Sequence, residues 1–296
     1  MLAASMVVVG DEILGGYVPD TNSQLVARRL QEHGVELSCV HVVADDLGAI
    51  DEALSAELER ARPRLVLTSG GIGSTPDDLT YEAVAASLGR ELVEDPTIGA
   101  RIEEALAWSR EQGLDVTDAF AWHLGRMARI PAGSHLLERD GGWSPGVAVD
   151  IDGGIDEGGA TVVVLPGVPT EFEALLDHAV VPRLVAGRNP RPHVRELTHT
   201  YPESALNLAF AEVLERFPEV KLGSYPGRPM LVRLRGPHAA VEEAAGRIAA
   251  AIAALDDSDA GRRIAAARAA RAAAREAAEA AAADDTGRDG QTEEDA

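Results

Sequence analysis

Lysine is nearly missing from this 296-residue chain: Lys221 is the only one. Cysteine is as rare. Cys39 stands alone, which excludes an intramolecular disulfide and any cysteine-built zinc cluster. Aromatic residues make up only 4% against 46% hydrophobic residues, so the core must be built from Val, Leu, Ile and Ala. The eight histidines are scattered, with no metal-ligand pair at helical spacing. No apolar run reaches membrane-spanning length. The N-terminus has no basic segment followed by a long apolar one, so no signal peptide and a cytoplasmic location are expected. Positive charge is also short. With 49 acidic and 27 basic residues the formal net charge is -22, a surface that repels nucleic acid and anionic membranes. An acidic, Arg-rich, Lys-poor surface suits a salt-rich cytoplasm, and K+ is a further candidate ion.

The most informative stretch that is present covers residues 65–82, LVLTSGGIGSTPDDLTYE. A short apolar run stops at a Gly-rich turn, and a helix-like segment follows. Strand, Gly-rich loop and helix is a recurrent way to bind phosphate, because glycine lets the backbone approach an anion and aim N–H groups at it. Asp77 and Asp78 stand just after Gly70, Gly71, Gly73, Ser74 and Thr75. Carboxylates and phosphate repel each other, and a divalent cation between them is the simplest way to place both in one site. The expected ion is Mg2+ or another divalent cation such as Co2+.

The order of elements predicts an α/β fold. Residues 6–9 read as a first strand ending at Gly10, Asp11 and Glu12. Asp20, Thr21 and Asn22 offer caps for a helix over 23–33. Strands over 35–43 and 65–68 flank an amphipathic helix over 47–61, and 161–165 is a further buried strand. Alternating strands and helices imply right-handed crossovers and a mostly parallel sheet covered on both faces, a three-layer α/β/α sandwich. Helices are expected over 96–112 and 120–127, and a short hairpin within 128–156. The GGIDEGG stretch, 153–159, reads as a hairpin tip or loop. Ligands of such sheets sit beyond the carboxyl ends of the strands, where Asp11, Asp45, residues 70–78 and Gly167 all fall. Composition changes near Pro190. The expected division is 1–185, a small α+β domain over 186–255, and a tail over 256–296. The tail is an Ala/Arg/Glu-rich helix with an acidic, disordered end.

Three ordered motifs carry a resemblance. GDEIL (10–14) with DTN (20–22), SGGIGSTPDDLTYE (69–82) and VLPGVPTE (164–171) are similar to motifs of the competence/damage-inducible protein A (CinA) family. Segments 201–207 and 222–225 resemble that family's second module, so the likeness covers about residues 1–255. The first domain is similar to molybdopterin-binding domains of the MoaB/MogA type. The resemblance implies metal-dependent pyrophosphate chemistry: hydrolysis of ADP-ribose to AMP and ribose 5-phosphate, or of FAD to AMP and FMN. It also brings Asp45 forward as the counterpart of a catalytic aspartate and ranks Asp78 above Asp77. The family often has Pro, Thr and His before the two aspartates. Here Ser74 and Pro76 stand at the first and last of those positions, so a substrate contact is expected to differ. Many family members carry a nicotinamide mononucleotide deamidase domain, and deamidase activity is not expected here.

Each motif also has a plainer reading. Asp77 and Asp78 could cap the following helix, and Asp45 and Asp46 the one before it. Asp11 and Glu12 could be turn residues, Asn22 an N-cap, and the glycines a tight turn only. Gly167 and Pro169 shape a pocket wall. Cys39 and His41 read as core. The arginines at 262, 263, 268, 271 and 275 read as a solvated helix. The function that fits best is hydrolysis of an adenosine dinucleotide, with Asp78, Asp45 and Asp77 as catalytic groups and Asp78 and Asp77 as metal ligands. Gly70, Gly71, Gly73, Ser74, Thr75, Asp11, Glu12, Asn22 and Gly167 form the phosphate or nucleotide contacts. Two rivals are a molybdopterin adenylyltransferase or pterin carrier, and a non-catalytic nucleotide-binding module. A homodimer is expected, and the small domain reads as an oligomerisation or lid element.

Overall fold

The computed structural model describes residues 1–139, 142–259, 261–264, 266–267, 269–271 and 273–274. The chain divides into two compact units, residues 1–191 and residues 192 onward. The division lies beyond the expected boundary at 185. Asn189 holds the segment after 185 to the first unit: its side-chain amide donates to the carbonyls of Leu2 and Gly34, and its oxygen accepts from the N–H of Leu2.

The first unit is a six-stranded sheet between two layers of helices. Its strands are β1 (Ala3–Val9), β2 (Glu36–Val43), β3 (Arg64–Ser69), β6 (Ser134–Leu137), β7 (Gly146–Ile151) and β8 (Ala160–Leu165). They lie in the order β2-β1-β3-β8-β7-β6. The first four run parallel, and β7 and β6 extend the sheet antiparallel. β3 and β8 are buried along their whole length, as parallel strands covered on both faces must be.

Alternation along each strand sends neighbours to opposite layers. Met6, Val8, Leu65, Leu67, Val163 and Leu165 meet Leu25, Val26 and Leu30 of α2 (Asn22–Glu32) and Phe172 and Leu175 of α7 (Pro169–Leu175). Val7, Val9, Val66, Val162 and Val164 meet the opposite layer. It is formed by Ile50 and Leu54 of α3 (Leu47–Leu58), Val84 of α4 (Thr80–Ser87), and Ile98 and Leu106 of α5 (Pro96–Glu111). This is the expected three-layer α/β/α sandwich. The 152–159 segment joins the antiparallel β7 and β8, as a hairpin tip should.

Several elements lie outside the sequence reading. A four-residue helix, α1 (Asp11–Leu14), follows β1 directly. A small antiparallel pair, β4 (Leu92–Glu94) and β5 (Arg129–Pro131), brackets α5 and α6 (Asp118–Gly125). Beyond α7 the chain continues as a π-helical stretch, Leu176–Val185, with Pro182 inside it. A proline there has no N–H and crowds the preceding turn, which disfavours an ordinary α-helix. Cys39 is half-buried rather than core, because β2 is an edge strand. The register of β2 shifts between Ala4 and Ser5, and such a bulge re-aims the side chains that follow it.

One buried charge network closes the end of the sheet opposite the Gly-rich loop. Glu57 is fully buried and Arg64 is 4% exposed. Arg64 donates to Glu57 Oε2 (3.1 Å) and to Ser5 and Ser38. His41 and Arg60 reach Glu57 Oε1 at 2.8 and 3.0 Å.

The second unit is an α+β module. Its sheet has the order β10-β11-β9, all antiparallel, from β10 (Lys221–Tyr225), β11 (Met230–Gly236) and β9 (His193–His199). α8 (Asn207–Arg216) and α9 (His238–Asp257) cover one face. Phe210, Val213, Val232, Leu234, Val241 and Ile248 form the core. Most of the expected tail from 256 lies outside the described residues. Among the described residues no helix is long and apolar enough to cross a membrane.

Candidate functional site

The carboxyl ends of β1, β2, β3 and β8 converge, and the residues proposed from the motifs lie in the loops leaving them, in α1 and at the start of α2. The Gly-rich loop leaves β3 through Gly70 and Gly71, with φ of +97° and +66°. An added Cβ at Gly70 would stand 2.2 Å from the carbonyl oxygen of Val9, and one at Gly71 2.4 Å from Thr80 Oγ1. Gly167, in the turn after β8, comes as close: its Cβ would lie 3.2 Å from Gly70 Cα. These glycines let three loops meet at backbone distance.

Thr80 then ties the loop down. Its N–H donates to Gly71 O (2.9 Å) and its hydroxyl to Gly70 O (2.8 Å). The far side closes on Asp78, whose Oδ2 accepts from the Thr75 N–H (2.8 Å) and hydroxyl (2.5 Å). Asp78 does not cap α4; the cap position is Leu79. Its carboxylate shapes the loop. Between these clamps, the N–H groups of Gly71, Ile72, Gly73 and Ser74 donate to no protein acceptor among the described residues. Consecutive unpaired N–H groups in a Gly-rich turn form an anion-binding concavity.

Arg126, at the start of the short turn that follows α6, braces this loop from outside the motifs. Its guanidinium donates to the carbonyls of Thr75 (3.2 Å) and Asp78 (3.0 Å) and pairs with Glu82 (3.0 Å). No local pattern around residues 124–131 marks it, because its partners lie more than forty residues upstream.

The acidic residues divide their work. Asp46 is the N-cap of α3, accepting from the Ala49 N–H (2.9 Å). Its neighbour Asp45 accepts from the Asp11 N–H (2.8 Å), joining the ends of β2 and β1. Burial raises the Asp45 carboxyl above its ordinary range, against the bond from Asp11 N–H. The negative charges of Asp11, Glu12 and Asp77 push it further the same way. Asp45, Asp11, Glu12 and Asp77 therefore share one field. Asp77 itself is exposed and is held below its ordinary range by donors of its own turn, the Thr75 side chain first. Among the described residues these carboxylates do not bring three donor oxygens within 4.8 Å of one another.

Beside Gly167 lies a small cleft of about 90 Å³, lined among others by Glu12, Asp20, Asn22, Ser69, Gly167 and Pro169. Asn22 is inside α2 and is not its cap, which is Thr21; Asp20 takes the Ser23 N–H instead (3.0 Å). The Asn22 amide donates to Ser69 Oγ and Gly167 O, both at 2.9 Å, so it fixes the cleft wall. Glu171 falls in the first turn of α7.

Residues 5–186 match a family model described as "Probable molybdopterin binding domain". A protein of Thermococcus kodakarensis is 34% identical over 223 residues, 75% of this chain and 85% of the relative. The CinA-like protein of Myxococcus xanthus is 34% identical over 228 residues, 75% of this chain but 51% of the relative. This chain belongs to the CinA family, with a MoaB/MogA-like domain. Among solved structures, the CinA protein of Thermoplasma acidophilum is 35% identical. The match covers 59% of this chain and 94% of that one, with a TM-score of 0.48. The backbone of the loop opposes a side chain at Gly70. Gly70→Ala is expected to lower stability by more than about 1 kcal/mol, because both the positive φ and the Val9 contact oppose a side chain. Denaturant midpoints measure this, and an unchanged midpoint would show that the loop tolerates another path.

Proposed function

We propose that this CinA-family chain hydrolyses the pyrophosphate bond of an adenosine dinucleotide, ADP-ribose or FAD, and releases AMP with the help of a divalent cation. The observation that carries this reading is the run of unpaired N–H groups over 71–74 set beside the carboxylate field of Asp45 and Asp77. The donors of that field are all carboxylate oxygens, which suit Mg2+ or a similar hard ion. Asp78, with Asp77 or Asp45, would hold it. When bound, the ion neutralises charge on the phosphoryl oxygens and acidifies a water.

The chain's own residues do the rest. The 71–74 amides bind and orient one phosphate, while Thr80, Asp78 and Arg126 keep those amides aimed before the ligand arrives. The cleft walled by Asn22 and Gly167 takes an end of the ligand beyond the pyrophosphate. Asp45, whose carboxyl is raised by burial, would accept a proton from the attacking water.

The family description favours a second reading, a molybdopterin adenylyltransferase or pterin-binding protein using the same loop. Two mixtures separate them. Dinucleotide, metal and water alone suffice for a hydrolase, whereas a transferase releases product only with ATP and a pterin acceptor. AMP formed in the first mixture supports the proposal, and product confined to the second replaces it.

A further inference from the structure

We propose that His193, His238 and Glu242 of the second unit form a binding site for a divalent transition-metal ion such as Zn2+. The fold assembles this group from distant sequence. His238 opens α9 and Glu242 follows one turn later, so both project from one face of the helix. His193 pairs with Gly236 at the end of β11, and the chain turns through Pro237 directly into α9. That connection sets His193 beside the first turn of the helix.

The geometry fits a shared ligand. The three donor atoms lie within 4.8 Å of one another. His193 Nε2 is 2.6 Å from Glu242 Oε1, and the two imidazole rings are 4.3 Å apart, tilted by 41°. Two donors on one tetrahedral zinc stand about 3.3 Å apart. His193 Nε2 and Glu242 Oε1 need to part by about 0.7 Å, and a donor pair at the 4.8 Å limit to close by about 1.5 Å, to reach that spacing, shifts that side-chain rotation supplies. Two imidazoles and a carboxylate are borderline donors, which select Zn2+, Cu2+ or Ni2+ over Mg2+. This ion is thus chemically distinct from the one in the phosphate site.

Two features oppose a cation and set the affinity. Arg195 Nε lies 3.3 Å from the same Glu242 oxygen, and the N-terminus of α9 carries partial positive charge. Both are exposed to solvent, which screens them, and Arg195 can swing away. A second group of three donors, Cys39, His41 and Glu57 in the first unit, is a weaker candidate. There Glu57 is fully buried and ion-paired to both Arg60 and Arg64, so an added cation would sit against two guanidinium groups.

The test uses the untagged full chain at pH 7.5. Zn2+ is titrated in competition with a chromophoric chelator, and circular dichroism confirms that each variant folds. Wild type is expected to take one Zn2+ at this site. His238→Gln and His193→Asn should each weaken it at least about tenfold, and Cys39→Ser should leave it unchanged. A wild type that takes no Zn2+ overturns the proposal. So does binding that survives both histidine changes, or that is lost only in Cys39→Ser. None of these readouts depends on turnover at the phosphate loop.

Discussion

An Asp45→Asn variant is expected to release AMP about 10²–10³-fold more slowly than wild type while melting at a higher temperature. The two effects have one cause. Asp45 sits in the negative field of Asp11, Glu12 and Asp77 and is partly desolvated, so its carboxyl is raised. A carboxyl whose pKa in the fold exceeds its unfolded value destabilises the fold when ionised. That cost is present at neutral pH and fades as pH falls through the folded pKa. Asparagine removes the charge but keeps an oxygen for the Asp11 N–H bond at this position. The gain in melting temperature should therefore shrink as the pH is lowered. In the proposed chemistry turnover would need that charge, to hold a cation or to take a proton. An Asp45→Asn variant with full turnover at saturating metal would remove Asp45 from the chemistry.

Arg64→Ala is expected to destabilise the first unit strongly. Glu57 would be left fully buried with its Oε2 partner gone. Breaking a buried pair costs about 3–5 kcal/mol. His41 and Arg60 remain on Oε1, which places the cost near the lower end, about 3 kcal/mol. For a unit of this size that is a fall in melting temperature of roughly 6–12 °C. Removing both charges in Arg64→Met with Glu57→Leu should recover most of the loss. The pH dependence has a definite sign. Burial pushes the Glu57 carboxyl up, but bonds from His41 and Ser5 and the charges of Arg60 and Arg64 outweigh it and hold the carboxyl below its ordinary range. The stability Glu57 contributes is therefore complete above its unfolded value. It is lost as pH falls below about 4.5 and through the folded pKa. A wild type whose melting temperature exceeds that of Arg64→Ala by only a degree or two would contradict this account of the network.

Much of the first unit is legible in sequence because parallel strands buried on both faces read as unbroken Val/Leu runs. The loops at their carboxyl ends hold the polar residues. Asp11, Asp45, the 70–78 loop and Gly167 come together for that reason. The division of labour among the acids is not legible. Nothing in the pairs Asp45–Asp46 and Asp77–Asp78 says which member caps a helix, which closes a loop and which faces the shared field. Only the backbone path decides, and it makes Asp46 a cap and Asp78 a clasp for Thr75. Asn22 reads equally as a cap or a ligand contact, and its amide instead bridges Ser69 and Gly167 across the sheet. Arg126 is silent in sequence because its partners are carbonyls and Glu82 on a distant segment. The π-helical stretch around Pro182 and the α1 turn are short-range departures that periodicity does not register. The histidine pair of the second unit is invisible for a related reason. Its spacing exists only after β9 pairs with β11.

The most direct measurement is AMP release by the purified chain in high-potassium buffer with Mg2+ or Co2+. ADP-ribose and FAD are offered separately, and Asp78→Asn and an EDTA control run alongside. The account predicts AMP from one of the two substrates, lost with EDTA and strongly reduced in the variant. No AMP from either substrate with either metal, or release that Asp78→Asn leaves intact, would contradict it.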